Sequence, residues 1–283
     1  MSTATTITAA DVNKLRQTTG AGMMDCRKAL VESDGDFEKA IDYLRKKGQK
    51  VAALRSDREA KEGVVIAKTT ADQKTGFVIT LACETDFVSK NADFVSFAQS
   101  IMEAAIKNNV QSLDELKNLS LGGATVADKI NDQVAKIGEK IQLARFERID
   151  ADAVAAYIHG AFRMGVLVGL SKPGENLLEA GRDIAMQIAA MNPIAIDPES
   201  VPAEIISREK AIVTEQIKND PKMAGKPDEM IDKIATGKLN AFFKENTLLA
   251  QAFVKDAGKT VGDYLKSVDP AAKVTQFKRV QLG

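Results

Sequence analysis

The chain has 283 residues, 45% of them hydrophobic, and its 39 Lys and Arg balance 39 Asp and Glu. That length holds one large or two to three small domains with a buried core, and zero net charge argues against a nucleic-acid binder, which carries a basic excess. Cys26 and Cys83 lie far apart with no CxxC partner, no apolar run reaches the ~18 residues of a membrane helix, and the opening MSTATTIT lacks a signal pattern; a cytoplasmic protein without disulfides or zinc is expected.

Residues 1–48 read as three short helices. Thr8 and Asp11 have capping-box spacing, and Val12 and Leu15 give the first helix an apolar edge. TGAG at 19–22 breaks it, a second helix starts at Met23 or Met24 and runs to about Glu32, and SDGD turns the chain. Phe37, Ala40, Ile41 and Leu44 form an i, i+3, i+4, i+7 stripe on a third helix, expected to stop at Lys46-Lys47-Gly48 as helix ends prefer. Three helices this short resemble a ubiquitin-associated module. Residues 49–62, highly charged, read as a connector, partly helical.

Residues 63–150 change character. GVVIAK and GFVITLAC are strand-like, separated by the turn TTADQKT. A helix follows with Phe94, Phe97, Ala98, Ile101 and Ala105 on one face, then helical SLDELKNL and TVADKINDQVAKI, then a strand in EKIQLARFERI. A fainter copy begins near 153: AVAAYIH, a glycine turn, GVLVGL and the helix LLEAGRDIAMQIAAMNP repeat strand, turn, strand, helix. Gly76 and Gly165 open comparable strands. The expected class is α+β, with two related halves, 63–150 and 151–200 plus 246–283, each an antiparallel sheet with helices on one face. Into the second half is inserted an antiparallel helical hairpin, 201–245, interrupted by NDPKMAGKP. Its two helices of about 17 residues would each be about 25 Å long. The tail returns with NTLLAQAFVKD, a short helix TVGDYLKS and the strand KVTQFKRVQL.

The supply of catalytic chemistry is thin. His159 is the one histidine, and HExxH, GxSxG and GxxxxGK[ST] are absent; a covalent enzyme is not expected, nor is a metal or a cofactor. A lone histidine between a strand and a glycine turn reads first as a structural, hydrogen-bonded residue. Gly20-Ala21-Gly22 is half of a dinucleotide fingerprint but follows a helix and lacks the third glycine, so it reads as a helix-to-helix turn. Of Met23 and Met24, spacing favours one in the core, with the other free for a partner.

CETDFVSKN (83–91) forms a strand-to-helix corner, where loops carry function. Pattern alone favours Phe87 as a core residue at a strand end. Asn91, however, supplies the cap of the next helix, which leaves Asp86 and Phe87 without local duty and open to a partner protein.

LRQTTGAGMMDCRKAL (15–30) and CETDFVSK (83–90) are similar to the two signature segments of the elongation factor Ts family, and YIHGAFRMGVLV (157–168) and LLAQAFVKD (248–256) resemble two more, in order over essentially the whole chain. The resemblance implies a guanine-nucleotide exchange factor for elongation factor Tu in its GDP-bound and nucleotide-free forms. It also implies a three-helix N-terminal domain, a two-part core and an inserted hairpin. By the same resemblance Thr85, Asp86, Phe87 and Val88 drive magnesium displacement in elongation factor Tu. Leu15, Arg16, Met23 and Met24 grip its G domain, and His159, Gly160 and Met164 lie in the half that faces its C-terminal domain. Thr80, Ala82 and Ala252 depart from the family pattern, the last replacing a usual proline and relaxing its turn. The chain stops soon after its last strand, so the C-terminal helix contact of some relatives is not expected. The hairpin could serve dimerisation, elongation factor Tu, or both.

Overall fold

A computed structural model describes residues 6–220 and 227–283. The opening residues 1–5, and 221–226 within the expected break of the hairpin, lie outside the described residues.

The N-terminal helices are α1 (Ala9–Thr19), α2 (Met23–Glu32) and α3 (Phe37–Leu54). Thr8 and Asp11 close the anticipated capping box. Gly20, at φ 70°, ends α1 in the left-handed region that glycine enters without a Cβ penalty, and donates its N–H to Arg16 O at 2.7 Å. Leu15, Cys26, Ala29, Leu30, Ala40 and Leu44 seal a small core between the three helices. The expected stop of the third helix at Gly48 is corrected: α3 continues to Leu54.

The first half of the core contains β1 (Glu62–Thr69), β2 (Thr75–Cys83), a single turn α4 (Asp86–Ser89), α5 (Ala92–Lys107), α6 (Leu113–Asn118), the two-residue strands β3 (Ser120–Leu121) and β4 (Ala124–Thr125), α7 (Val126–Ile137) and β5 (Gln142–Asp150). Its sheet is antiparallel in the order β1-β2-β5. The reason α3 runs on is now visible. A Cβ on Gly48 would sit 2.8 Å from the Asn131 carbonyl oxygen and 2.9 Å from Ala135 Cβ, both on α7. The glycine lets two helices touch backbone to backbone, and the tertiary contact overrides its helix-ending preference.

The second half contains β6 (Ala153–His159), β7 (Met164–Leu170), α8 (Glu175–Met191), α9 (Ala203–Lys218), α10 (Asp228–Asn246), the short pair β8 (Ala252–Phe253) and β9 (Asp256–Thr260), α11 (Val261–Val268) and β10 (Val274–Gln281). Its sheet order is β10-β7-β6, so in both halves the second strand lies between the first and the last. Helices α9 and α10 form the hairpin and pack through Val213, Ile217 and Ala235. Its base is tied to the body where Leu248 N donates to Ala195 O and Leu249 N to Ile196 O, both at 2.9 Å. At Ala252 the turn is held without a proline: the buried Gln187 side chain donates to Ala252 O at 3.1 Å and accepts from Val254 N at 2.8 Å.

The two sheets stack face to face, each covered on its outer side by its own helices. Phe77, Ile79 and Leu81 of β2 pack toward α5 and α7, Val166, Val168 and Leu170 of β7 toward α8 and α11, and Val65, Val78, Ile149, Val154, Leu167 and Val280 fill the layer between the sheets. The interface is reciprocal. A Cβ on Gly76 would meet Val154 at 2.6 Å and Leu167 at 3.0 Å, while one on Gly165 would meet Val65 and Val78 at 2.9 Å. Val78 follows Gly76 by two residues, as Leu167 follows Gly165, so each half's central strand offers a glycine groove to the other half's ridge. Glu147 lies opposite Val78 and Lys278 opposite Leu167; these equivalent positions form an ion pair at 3.0 Å. The pairing of equivalent residues describes a local two-fold relation and agrees with the repeat read from sequence.

Candidate functional site

Strand β2 ends at Cys83 and the chain turns through Glu84 and Thr85 into α4. Asn91 then caps α5, its side chain accepting from Asp93 N at 2.8 Å. The ring of Phe87 is 85% exposed. The reading that pattern alone favours, a core phenylalanine at this strand end, is therefore corrected, and the ring is open to solvent as the cap at Asn91 implied. Val88, on the other side of the turn, packs against the first core instead, so a single helical turn points one apolar side chain in and one out. Asp86 does have a local partner: Lys90, one turn on, pairs with it at 2.6 Å and holds its carboxyl below the ordinary range.

The two residues before the turn are held by a second loop, 138–140. Glu139 accepts from Thr85 N at 3.0 Å and from Thr85 Oγ1 at 2.6 Å. In return Glu84 accepts from Lys140 N at 2.6 Å. Glu84 also pairs with Arg55 at 2.8 Å and Arg58 at 3.0 Å. Burial works against its ionised form, but the Lys140 amide and the two guanidinium groups outweigh it and hold the carboxyl down at about 2. Cys83 is fully buried, its thiol bonded to Thr85 O at 3.2 Å. Burial, with the charges of Glu139 and Glu62 adding to it, pushes that thiol up to about 12. It is a packing residue.

The N-terminal segment approaches the same region. The side chain of Lys136 on α7 lies against Gly20, where an added Cβ would be 3.1 Å from Lys136 Cδ. Lys136 also lines, with Phe87, Val88 and Asn91, a cavity of about 210 Å³ beside the exposed ring. Met23 and Met24 are 56% and 72% exposed, so the expectation that one would enter the core is corrected: three short helices fill their core with Leu15, Cys26 and Leu30 and leave no room for either. Arg16 is exposed as well. Leu15 is fully buried, so its side chain is not part of the exposed surface of this segment.

The turn between β6 and β7 lies at the same end of the sandwich. Glu62 is the register partner of Cys83 and pairs with Arg163 at 3.1 Å, and Val65 N donates to Phe162 O at 2.7 Å. His159 and Gly160 are exposed at this turn, and the His159 ring nitrogen Nδ1 sits 2.9 Å from the Tyr157 hydroxyl. Met164 is buried against the second core, so its side chain is not part of the exposed surface at this turn. Among the described residues there is no cluster of three or more His, Cys, Asp or Glu side chains able to hold a metal ion, and no helix is long and apolar enough to cross a membrane. Sequence reading missed Glu139, Lys140, Arg55 and Arg58. The only local signal was an acid directly after Gly138, the left-handed glycine that ends α7.

Residues 84–283 match the family model described as Elongation factor TS. The chain is 49% identical over 277 residues to the elongation factor Ts of Christiangramia forsetii and 50% identical over 278 residues to that of Flavobacterium psychrophilum, covering 98% of this chain and 99% of each relative. It is 45% identical over 280 residues to that of Porphyromonas gingivalis, with 98% of both chains covered. The chain belongs to the elongation factor Ts family. The exposed corner at Phe87 thus falls at the start of the segment matched by the elongation factor Ts model, and the N-terminal helices, outside that match, are covered by the relatives' full-length similarity.

Proposed function

We propose that this chain binds elongation factor Tu and speeds the release of its GDP, with Phe87 as a wedge and Thr85, Asp86 and Val88 as the turn that carries it. The observation that bears most weight is the ring itself: a phenylalanine 85% exposed on a turn whose flanks are tied down. A free chain leaves such a ring in water only at a loss of roughly 2 to 3 kcal/mol relative to burying it, which suits a surface that awaits a partner.

In the partner, GDP is held through a Mg²⁺ ion in a strict octahedron that tolerates little displacement. Packed interiors move between discrete arrangements rather than stretching, so a ring driven between G-domain helices shifts a magnesium ligand or its water shell and loosens the phosphate loop. Nucleotide and factor are then negatively coupled, and by reciprocity GTP rebinding expels the factor. No covalent step is needed. A 10³- to 10⁵-fold acceleration requires about 4 to 7 kcal/mol, more than one buried phenylalanine supplies. Met23, Met24, Arg16, His159 and Gly160 are the further surface that would hold the wedge in place.

Stopped-flow release of fluorescent GDP from elongation factor Tu tests the reading. Phe87→Ala is expected to slow the stimulated rate at least tenfold, the scale of losing about 1.4 kcal/mol or more of wedge stabilisation, while the complex still forms. A rate equal to that of the unmodified factor ends the wedge proposal.

A further inference from the structure

The corner that carries Phe87 is a single helical turn of four residues, far below the length at which a helix holds itself together. Its N-cap is Thr85, yet the threonine hydroxyl makes no cap bond to the turn it precedes. Both donors of Thr85, backbone N–H and hydroxyl, are given to the two carboxylate oxygens of Glu139, 54 residues further along the chain. One residue earlier the relation is inverted, and Glu84 takes the backbone N–H of Lys140. Two loops therefore grip each other through two glutamates, each bonded to the other's backbone. Lys140 extends the arrangement, its Nζ donating to Ser56 O at 2.6 Å and Arg58 O at 2.8 Å. Arg55 and Arg58 reach Glu84 from the same strand of chain, which follows α3. The segment expected to be a connector is bolted to the corner, and with it the N-terminal helices.

We propose that Glu139 and Glu84 are positioning residues for Phe87: the paired loops fix the direction in which the ring leaves the surface and join that direction to the seat of the N-terminal helices. This rests on the reading of Phe87 as the exchange wedge. A ring on an untethered turn would reach its target only in a fraction of orientations, and the factor's binding energy would be spent on ordering it. Held in advance, the ring arrives aligned. Loss of the tie therefore lowers the rate at saturation more than it weakens association.

The test is GDP release from elongation factor Tu over a range of factor concentrations, with Phe87→Ala as the reference. Glu139→Ala is expected to lower the saturating rate roughly tenfold, within the range that a misplaced reacting group costs, with the half-saturating concentration changed about twofold or less. Thr85→Val, which keeps the N–H but loses the hydroxyl donor, falls between, and Thr85→Ser, which keeps both donors, restores the full rate. In a Phe87→Ala background Glu139→Ala is expected to have little further effect, because the two act through one ring. Undiminished saturating rates in both Glu139→Ala and Thr85→Val, with Phe87→Ala slow, overturn this inference and leave the wedge standing. Effects of Glu139→Ala and Phe87→Ala that multiply in full also overturn it, since Glu139 would then act elsewhere. An unaffected Phe87→Ala overturns the wedge reading and this one with it.

Discussion

Thr80 sits between the sheets, 4% exposed, with no hydrogen-bond partner for its hydroxyl among the described residues. The equivalent place in the other half is Gly169, since Thr80 lies opposite Val65 and Gly169 opposite Val154. An unsatisfied buried hydroxyl costs about 1 to 3 kcal/mol, and valine has nearly its shape. Thr80→Val is therefore expected to stabilise the protein by about 1 kcal/mol, read as a higher thermal midpoint with exchange activity unchanged. The cysteines make a second expectation. Burial raises both thiols, that of Cys83 to about 12, so at pH 8 each stays protonated and sealed. Neither is expected to react with Ellman's reagent until the chain is denatured; a thiol titrated in the native state would place it in a more open site. From sequence, Thr80 was visible as a departure from the family but not as a flaw in packing, because the facing side chains belong to other strands.

The helices show why element ends are harder to read than element existence. The stripe Phe37, Ala40, Ile41, Leu44 marked α3 correctly, and Thr8 and Asn91 cap their helices through local hydrogen bonds, as the sequence implies. Gly48 misled because basic residues followed by glycine resemble a terminus, whereas here glycine serves close contact with α7. Gly48→Ala sets two effects against each other. Alanine gains up to about 1 kcal/mol of helix propensity, but its Cβ would stand 2.8 Å from a backbone oxygen that cannot swing aside. Overpacking of this kind costs about 1 to 3 kcal/mol, so net destabilisation is expected, seen as faster proteolysis between α3 and β1. The corner at 84–91 followed the same logic. Its outline was legible, but the carboxylate of Glu139 that holds Thr85 comes from 54 residues away and left no periodic trace.

In the molecule as a whole, two three-stranded sheets are pressed together by reciprocal glycine grooves. Gly165→Ala would bring a methyl within 2.9 Å of Val65 and Val78, and Gly76→Ala would meet Val154 at 2.6 Å. Each is expected to destabilise by about 2 kcal/mol, measured by urea unfolding, and Val78→Ala is expected to recover part of the Gly165→Ala loss by removing one of the opposing methyl groups. An additive double variant would mean that the sheets do not meet as described. The same stacking sets the site. It ties the β6–β7 turn to the start of β1, opposite the end of β2 that leads into the Phe87 corner, while α7 and the 55–58 segment join the N-terminal helices to that corner.

The order of the main strands and helices, the three-helix start and the repeat of two halves follow from residue type and spacing, because helix and strand periods and caps are local properties of a chain. Tertiary structure alone decided that Phe87, Met23 and Met24 face outward while Leu15 and Met164 face in. It also decided that the apolar strands meet each other rather than a second layer of helices. An uninterrupted run such as GVVIA is buried on both faces in either arrangement, and a lone aromatic at a turn has the same neighbours in sequence whether its ring is sealed or offered. Burial is settled by what lies opposite in space, and for these residues that is chain from another part of the sequence.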